Sequence, residues 1–67
     1  MNIIINNKTK VIQESVITIE QLLKKYEINT LGIALAINKS IIPRESWDKH
    51  LIHNNDNILL FKIIVGG

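Results

Sequence analysis

The nine residues TIEQLLKKY (residues 18–26) carry the strongest local signal in this chain of 67 residues. Thr18 is followed three residues later by Gln21, and this T-x-x-Q spacing is typical of a capping box at a helix N-terminus. Glu20 lies in the first turn and two lysines lie near the end, which is the favourable sense for the helix dipole. The stretch therefore predicts a helix over residues 18–27.

One apolar stripe runs along this predicted helix. Ile19, Leu22, Leu23 and Tyr26 recur at the i, i+3, i+4 and i+7 spacing of a single helical face. Ile17, just before the cap, pairs with Leu22 as a hydrophobic staple. The helix is therefore expected to bury one face against the rest of the chain.

The segments around the helix have the composition of strands. Hydrophobic residues make up 46% of the chain and aromatic residues 4%, and β-branched aliphatic side chains pack well on a pleated sheet. Asparagine-rich turns separate the apolar runs. Strands are predicted over residues 1–5, 9–14, 33–37, 40–42 and 58–64. The expected fold class is α+β, with one main helix on a mixed sheet of four to five strands, in a single domain over residues 1–67.

Bulk composition argues against several classes of function. The chain has no cysteine, which excludes disulfides and thiolate metal sites and favours an intracellular protein. Its net charge is +2 with the lysines scattered, so we expect no nucleic-acid partner. The longest apolar run, residues 31–37, is far shorter than the roughly 20 residues of a membrane span. We expect a monomer with no signal peptide and no membrane partner.

The predicted strands are apolar on two faces. One face and the helix stripe form the predicted core, which comprises Met1, Ile3, Ile5, Leu22, Leu23, Leu35, Ile37, Ile58 and Leu60. A single short helix covers only one face of a sheet, so the other face is left as an exposed apolar patch, which is typical of partner-binding sites. The predicted partner-binding residues are Ile4, Ala34, Ala36, Leu59, Phe61 and Ile63. The alternative is a β-rich fold with stray surface hydrophobic residues.

Several polar residues invite a catalytic or metal-binding interpretation. His50, His53 and Asp56 lie close in sequence, but zinc sites use three or four ligands at fixed spacing, so we predict a polar loop and no metal. Arg44 and its charged neighbours are expected to be solvated, because a small sheet with one helix offers no deep cleft. Trp47 is expected to cover one end of the core, with its N–H bonded to a partner.

The C-terminus suggests a different kind of chemistry. The chain ends in Val65-Gly66-Gly67, and two of its three glycines are the last two residues. Glycine lacks a Cβ, so this backbone fits a narrow channel. The terminal carboxylate is ionised at neutral pH and becomes an acyl donor only as a mixed anhydride, for example with AMP. We predict that Gly67 is modified, that Gly66 and Val65 give access to it, and that residues 65–67 form a flexible tail. The alternative is a frayed end without a role.

Taken together, these elements resemble the ThiS family, the sulfur carriers of thiamine biosynthesis, within the ubiquitin-like β-grasp superfamily. The similarity is carried by Thr18 with Leu22-Leu23, ALAIN (34–38), IIPRESW (41–47), DNILLF (56–61) and the terminal GG. The chain departs from the family at turns. Lys39 stands where the family often has glycine, Asn54-Asn55-Asp56 replaces Asp-Gly-Asp, and a glycine common before the helix is replaced around Val16.

The resemblance implies a carrier that has no catalysis of its own and binds no cofactor. An adenylating enzyme of the ThiF type would use ATP and Mg²⁺ to adenylate Gly67. A persulfide sulfur, drawn from cysteine through a desulfurase, would displace AMP. A thiazole synthase of the ThiG type would accept sulfur from the resulting Gly67 thiocarboxylate. The resemblance also implies a cytoplasmic protein, in the bacterial cytosol or in a plastid stroma.

Two alternatives stay open. A MoaD-like carrier for molybdopterin, or a Urm-like carrier for tRNA thiolation, would use the same terminal chemistry, although the short length and the Pro-Arg-x-x-Trp element favour ThiS. A non-reactive β-grasp interaction module would bind partners through its sheet and would never be adenylated.

Overall fold

The computed structural model describes residues 1–63. The bounds of its elements are β1 Asn2–Ile5, β2 Lys8–Val11, α1 Ile19–Lys25, β3 Ile33–Ile37, β4 Ser40–Ile41 and β5 Asn57–Lys62, with a 3₁₀ turn at Arg44–Ser46. The predicted helix and the five predicted strands are all present, and the differences are at their ends. Within the described part, no helix is long and apolar enough to cross a bilayer.

The strands form one mixed sheet in the order β2-β1-β5-β3-β4. β1 and β5 are parallel neighbours and pair Ile4 with Asn57 and Ile5 with Ile58. The other neighbouring pairs are antiparallel. Parallel neighbours need a long connection between them, and here α1, β3 and β4 supply it. The α+β class and the mixed sheet with one helix are therefore confirmed.

Both halves of the predicted capping box are present at the start of α1. The Thr18 hydroxyl accepts a hydrogen bond from the Gln21 N–H at 3.2 Å, and the Gln21 side-chain oxygen accepts one from the Thr18 N–H at 3.0 Å. The helix ends at Lys25, earlier than predicted, because Glu27 adopts a φ of 53°. A residue in this left-handed conformation ends a helix and turns the chain away from its axis.

Two tight turns join antiparallel strands and fix their register. Asn6 and Asn7 join β1 to β2 with φ values of 48° and 68°, and Asn38 and Lys39 join β3 to β4 with 50° and 73°. Two consecutive residues with positive φ are typical of the type I′ turn that suits the twist of a hairpin. Asparagine tolerates this conformation better than lysine does, so the departure of Lys39 from the family pattern leaves a strained position.

The core lies between α1 and one face of the sheet, as predicted. The fully buried side chains include Ile3, Leu22, Leu35 and Ile58. The other predicted core residues are either buried (Leu23 and Ile37) or partly buried against the core (Met1, Ile5 and Leu60). The core also contains Ile19 of the predicted helix stripe, Ile17 of the predicted staple and Trp47, which was expected to cover one end of it. Two further members, Ile12 and Ile52, were not predicted for the core.

The connection before α1 explains part of this difference. The predicted second strand reaches residue 14, but β2 ends at Val11 and Ile12 is buried with 2% exposure. The Glu14 carboxylate then lies 3.2 Å from the Lys25 ammonium at the end of α1. Its own backbone N–H, and secondly Lys25, hold the pKa of Glu14 below the ordinary value of 4.5. This segment is therefore held at Ile12 by hydrogen bonds with Met1 beside β1, and at Glu14 by the end of the helix.

The two faces of β5 are predicted to differ sharply in their effect on stability. Ile58→Ala should lower the free energy of unfolding by about 2–5 kcal/mol, because it leaves a cavity beneath α1. Leu59→Ala is the matched control at the next position and should change the free energy of unfolding by about 1 kcal/mol or less. Urea denaturation of the two variants measures the difference, and a larger loss for Leu59 would contradict the register.

The strained position at Lys39 is predicted to be improved by glycine. Lys39→Gly should raise the free energy of unfolding by about 0.5–1 kcal/mol, because relief of the left-handed strain exceeds the entropy that glycine adds to the unfolded chain. Lys49→Gly, at a lysine without positive φ, is the control and should bring no gain. Thermal unfolding of both variants tests this, and equal losses at the two positions would refute it.

Candidate functional site

The sheet face opposite α1 carries the predicted partner-binding residues. Ala34 lies opposite Phe61, and Ala36 lies opposite Leu59, across the pairing of β3 with β5. Their chain neighbours on the other face, such as Leu35, are buried under α1. The register therefore gathers these four predicted residues on one surface.

A shallow groove follows β3 on this surface. Ala36 forms its floor with 6% exposure, while Leu59 on one side is 48% exposed. On the other side Ile41 of β4 pairs with Ala36 and is 68% exposed. We call the surface formed by Ala34, Ala36, Ile41, Leu59 and Phe61 the β3 groove. It is apolar, open to solvent and walled by two large aliphatic side chains.

Ile41 was not among the predicted partner-binding residues, although the sequence held a signal for it. A two-residue turn at Asn38 and Lys39 sets Ile37 opposite Ser40 and Ala36 opposite Ile41. Residues opposite each other in a hairpin point to the same face. Ile41 therefore belongs with Ala36. In contrast, Ala36 itself lies on the predicted face but is nearly buried, so it contributes shape rather than exposed area.

Ile4 and Ile63 complete the predicted set at the margins of the groove. Ile4 is half-buried in β1, and Ile63, just after β5, is 54% exposed. The Ile63 N–H donates a hydrogen bond to the carbonyl oxygen of Gly32 at 2.9 Å. This bond holds the last residue that the structure describes.

The predicted reactive end, Gly67, lies outside the described residues, as do Gly66, Val65 and the predicted flexible tail at 65–67. Four residues follow Ile63 in the sequence. A fully extended chain of four residues spans at most about 13–14 Å. Any enzyme that acts on the carboxyl carbon of Gly67 must therefore work close to the end of the sheet where Ile63 is anchored.

The carbonyl that anchors Ile63 belongs to a turn between α1 and β3. The Ile33 N–H donates to the Thr30 carbonyl oxygen at 3.1 Å, and Gly32 has a φ of 70°, which glycine adopts without a steric penalty. The Leu31 N–H donates to the side-chain oxygen of Asn29 at 3.1 Å. We call residues 30–33 the anchor turn.

Arg44 and Trp47 form one unit beside the anchor turn. Trp47 is 6% exposed and its Nε1 donates to the Ile42 carbonyl oxygen at 2.9 Å, as predicted for a residue that covers the core. The Arg44 guanidinium stacks 4.6 Å from the centre of the Trp47 ring. Its Nη2 donates to the carbonyl oxygens of Thr30 at 2.6 Å and Ile33 at 3.0 Å. Arg44 is exposed, as expected for a solvated charged loop, but its guanidinium is also bonded to the anchor turn, which was not predicted.

The histidine and aspartate cluster braces two turns. One oxygen of the Asp56 carboxylate accepts the His53 backbone N–H at 2.8 Å, and the other accepts the Asn38 side-chain N–H at 3.1 Å. The His53 ring nitrogen is 3.9 Å from Asp56. Among residues 1–63, no group of three or more histidine, cysteine or acidic side chains is arranged to hold a metal ion. The cluster thus joins the turn after β3 to the turn before β5.

A separate concavity of about 500 Å³ opens on the helix side of the molecule. Its apolar lining comes from Leu23, Ile28 and Trp47, and its rim carries both acidic and basic side chains. Two of these, Glu20 and Lys24, form an ion pair at 3.2 Å. The mixed rim presents no single charge to a ligand, so the β3 groove is the better candidate for a docking site.

Comparison with known sequences identifies relatives over most of the chain. A model of the ThiS family matches residues 3–67. The sulfur carrier protein ThiS of Escherichia coli strain K12 is 46% identical over 50 residues, which cover 75% of this chain and 76% of the relative. A protein of Trieres chinensis described as uncharacterized protein ycf40 is 33% identical over 51 residues, which cover 76% of this chain and 70% of that protein.

Comparison with solved structures identifies the fold. The crystal structure of a thiamine biosynthesis protein (ThiS) from Geobacter metallireducens superimposes with a TM-score of 0.92 over the full length of both chains, at 19% sequence identity. A solution structure of a thiamine biosynthesis protein from the same organism superimposes with a TM-score of 0.75, over all of this chain and 88% of that one. The predicted ubiquitin-like β-grasp fold is therefore confirmed.

Proposed function

Because the chain belongs to the ThiS family, we propose that it is a sulfur carrier protein of thiamine biosynthesis, with the sulfur held as a thiocarboxylate on Gly67. The observation that carries this proposal is the family match over residues 3–67, which includes the terminal Gly-Gly pair. The identity with the E. coli sulfur carrier favours thiamine over molybdopterin or tRNA thiolation as the pathway.

The first step of the proposed chemistry is activation of the terminal carboxylate. A carboxylate is a poor acyl donor, because it is an anion at neutral pH and would have to expel an oxide. An adenylating enzyme of the ThiF type supplies ATP and Mg²⁺, and an oxygen of Gly67 attacks the α-phosphorus while pyrophosphate leaves. The acyl adenylate that forms has AMP as its leaving group.

The second step brings in sulfur. A persulfide, charged from cysteine by a desulfurase, attacks the carbonyl carbon of the adenylate, and AMP leaves to give an acyl disulfide. A second thiol of the partner enzyme then attacks that enzyme's own sulfur in the acyl disulfide. The S–S bond to the Gly67 sulfur breaks, a disulfide forms within the enzyme, and the Gly67 thiocarboxylate is released. A thiazole synthase of the ThiG type accepts this sulfur. The chain itself is a substrate throughout, and the partner enzymes supply the catalytic groups and the positioning.

The β3 groove is the surface on which we propose that both partner enzymes dock. It is apolar and solvent-exposed, and exposed apolar patches of this kind are typical of protein interfaces. Its nearer end, at Ala34 and Phe61, lies close to Ile63 along β5, and the residues after Ile63 can span at most about 13–14 Å to Gly67. Ala34 and Ala36 keep its floor low, while Leu59, Phe61 and Ile41 supply side chains large enough to anchor a partner.

Truncation of a groove side chain is predicted to weaken partner binding more than it weakens the fold. Phe61→Ala should reduce affinity for the adenylating enzyme by about 1–3 kcal/mol, because an interface anchor is lost. Leu59→Ala should act in the same direction. Titration calorimetry with the cognate adenylating enzyme measures the affinity, and thermal unfolding of the same samples reports stability.

Val16→Ala is the matched control for that experiment, because Val16 is 68% exposed but lies outside the sheet. It should leave the affinity unchanged. If Phe61→Ala lowers the melting temperature sharply while the affinity per folded molecule stays at the wild-type value, Phe61 is a core residue and the groove is not the docking surface.

The position of the terminal carboxylate is predicted to be decisive for the reaction. An alanine added after Gly67 moves the carboxylate by roughly 3.3–3.6 Å, whereas reacting atoms must approach to about 3–3.5 Å in line. Adenylation and thiocarboxylate formation should therefore be abolished, with the fold unchanged. Intact mass after incubation with the adenylating enzyme, ATP and a sulfur source should show exchange of one oxygen for one sulfur in the wild type alone.

Gly66→Val provides a second view of the same site, because its side chain would crowd a channel that suits glycine. It should block the reaction with little change in stability. Sulfur uptake by the extended protein at the wild-type rate, without trimming of the added residue, would show that Gly67 is not the reactive end. A wild-type chain that is never adenylated would instead be a non-reactive interaction module.

A further inference from the structure

We propose that Arg44 is a positioning residue for the C-terminal segment, which it controls through the anchor turn and the hydrogen bond from Ile63 to Gly32. The structural part of this inference stands on the described residues alone. Its consequence for the reaction rests on the proposed function. Among residues 1–63, Arg44 donates to the carbonyl oxygens of Thr30 and Ile33, and the proposed effect runs through the backbone that these bonds hold.

The first link joins Arg44 to the two ends of the anchor turn. A single guanidinium nitrogen donates to the carbonyl oxygens of Thr30 and Ile33, the first and last residues of the turn. Hydrogen bonds from a charged donor are shorter and stronger than neutral ones. Leu31 and Gly32 lie between the two accepting carbonyls, so Arg44 fixes the peptide that presents the Gly32 oxygen.

The second link holds the guanidinium itself in place. Arg44 follows Pro43, whose ring restricts φ and whose φ is −57°. The guanidinium then stacks on the ring of Trp47, and Trp47 is fixed both by burial and by its bond to Ile42. A cation over an indole face is attracted by the ring. The arginine is therefore pre-oriented before it meets the turn.

The third link passes from the turn to the last described residue. The Gly32 oxygen faces β5 and accepts the Ile63 N–H, while the Ile33 oxygen faces away from β5 and accepts from Arg44. The anchor turn is thus held by Arg44 on one side and by Ile63 on the other. Loss of the Arg44 bonds should therefore loosen the Gly32 carbonyl that accepts from Ile63.

The expected consequence is a change in substrate affinity rather than in the chemical step. When Ile63 is released from Gly32, Ile63 must be ordered again each time Gly67 enters the activating enzyme. The entropy of ordering one residue corresponds to roughly a five- to thirtyfold rise in KM. Once the segment is bound it is ordered in either case, so kcat should stay at the wild-type value.

Amide hydrogen exchange of the free protein provides the structural test. Arg44→Ala should speed exchange at the Ile63 amide roughly five- to thirtyfold, while the Phe61 amide within β5 keeps its wild-type protection. Arg44→Lys should restore part of the protection, because an ammonium donates to the same carbonyls but does not stack as a plane on Trp47. Gly32→Ala should repeat the selective loss, since its Cβ meets nothing within 4 Å and only the backbone conformation is strained.

Two controls separate positioning from general destabilisation. Glu45→Ala removes the neighbouring charge and should change neither amide. Thr18→Ala removes the helix cap, which typically costs about 1 kcal/mol, and should lower protection across the protein without singling out Ile63. If Arg44→Ala speeds exchange at the Ile63 amide no more than Thr18→Ala does, the inference is overturned. If Arg44→Ala does not fold, the same comparison is made with Gly32→Ala and Arg44→Lys.

Steady-state adenylation, followed by pyrophosphate release, provides the functional test. Arg44→Ala should raise KM for the carrier and leave kcat unchanged, and both controls should match the wild type. An unchanged KM together with a freed Ile63 amide would overturn the functional part of the inference. Absence of adenylation of the wild-type protein would sink the proposed function, while the exchange measurements would still decide the role of Arg44 in the fold.

Discussion

The structure depends on an imbalance between one helix and a five-stranded sheet. A helix of seven residues covers one face of the sheet, and nothing among residues 1–63 covers the other. The strands near the middle of the sheet must still be strongly apolar, because one of their faces packs against the helix and the connections to form the core. Their outward residues are then free to differ, and in β3 they are alanines flanked by larger side chains. The core forms on the face that the helix covers, and the β3 groove lies on the face that it leaves exposed.

Much of the fold was predictable because the decisive signals are local. The capping box of Thr18 and Gln21 needs only four residues, and the alternation along β3 and β5 needs only the period of a strand. The core residues that were missed, such as Ile12 and Ile52, lie in irregular connections where no period distinguishes the buried side. The early end of α1 escaped prediction because the left-handed Glu27 has no sequence signature as clear as glycine.

The candidate site was predicted in part for the same reason. The groove follows from strand parity, and Ile41 could have been added from the two-residue turn that sets the β4 register. The role of Arg44 could not be predicted from the sequence, because it depends on hydrogen bonds to carbonyls 11 and 14 residues away in the chain. A charged side chain in a polar loop gives no indication of such distant acceptors. Contacts between irregular segments are fixed by packing, and packing is the information that a local pattern lacks.

The parallel pairing of β1 with β5 also has a mechanical consequence. Because β1 and β5 run in the same direction, the segment before β1 and the segment after β5 leave the sheet at opposite ends. A force that pulls on them loads the hydrogen bonds between β1 and β5 sideways and all at once, instead of opening them one after another. A pull on the C-terminal end of β5 against β1 is therefore carried in shear by the pairs of Ile4 with Asn57 and Ile5 with Ile58.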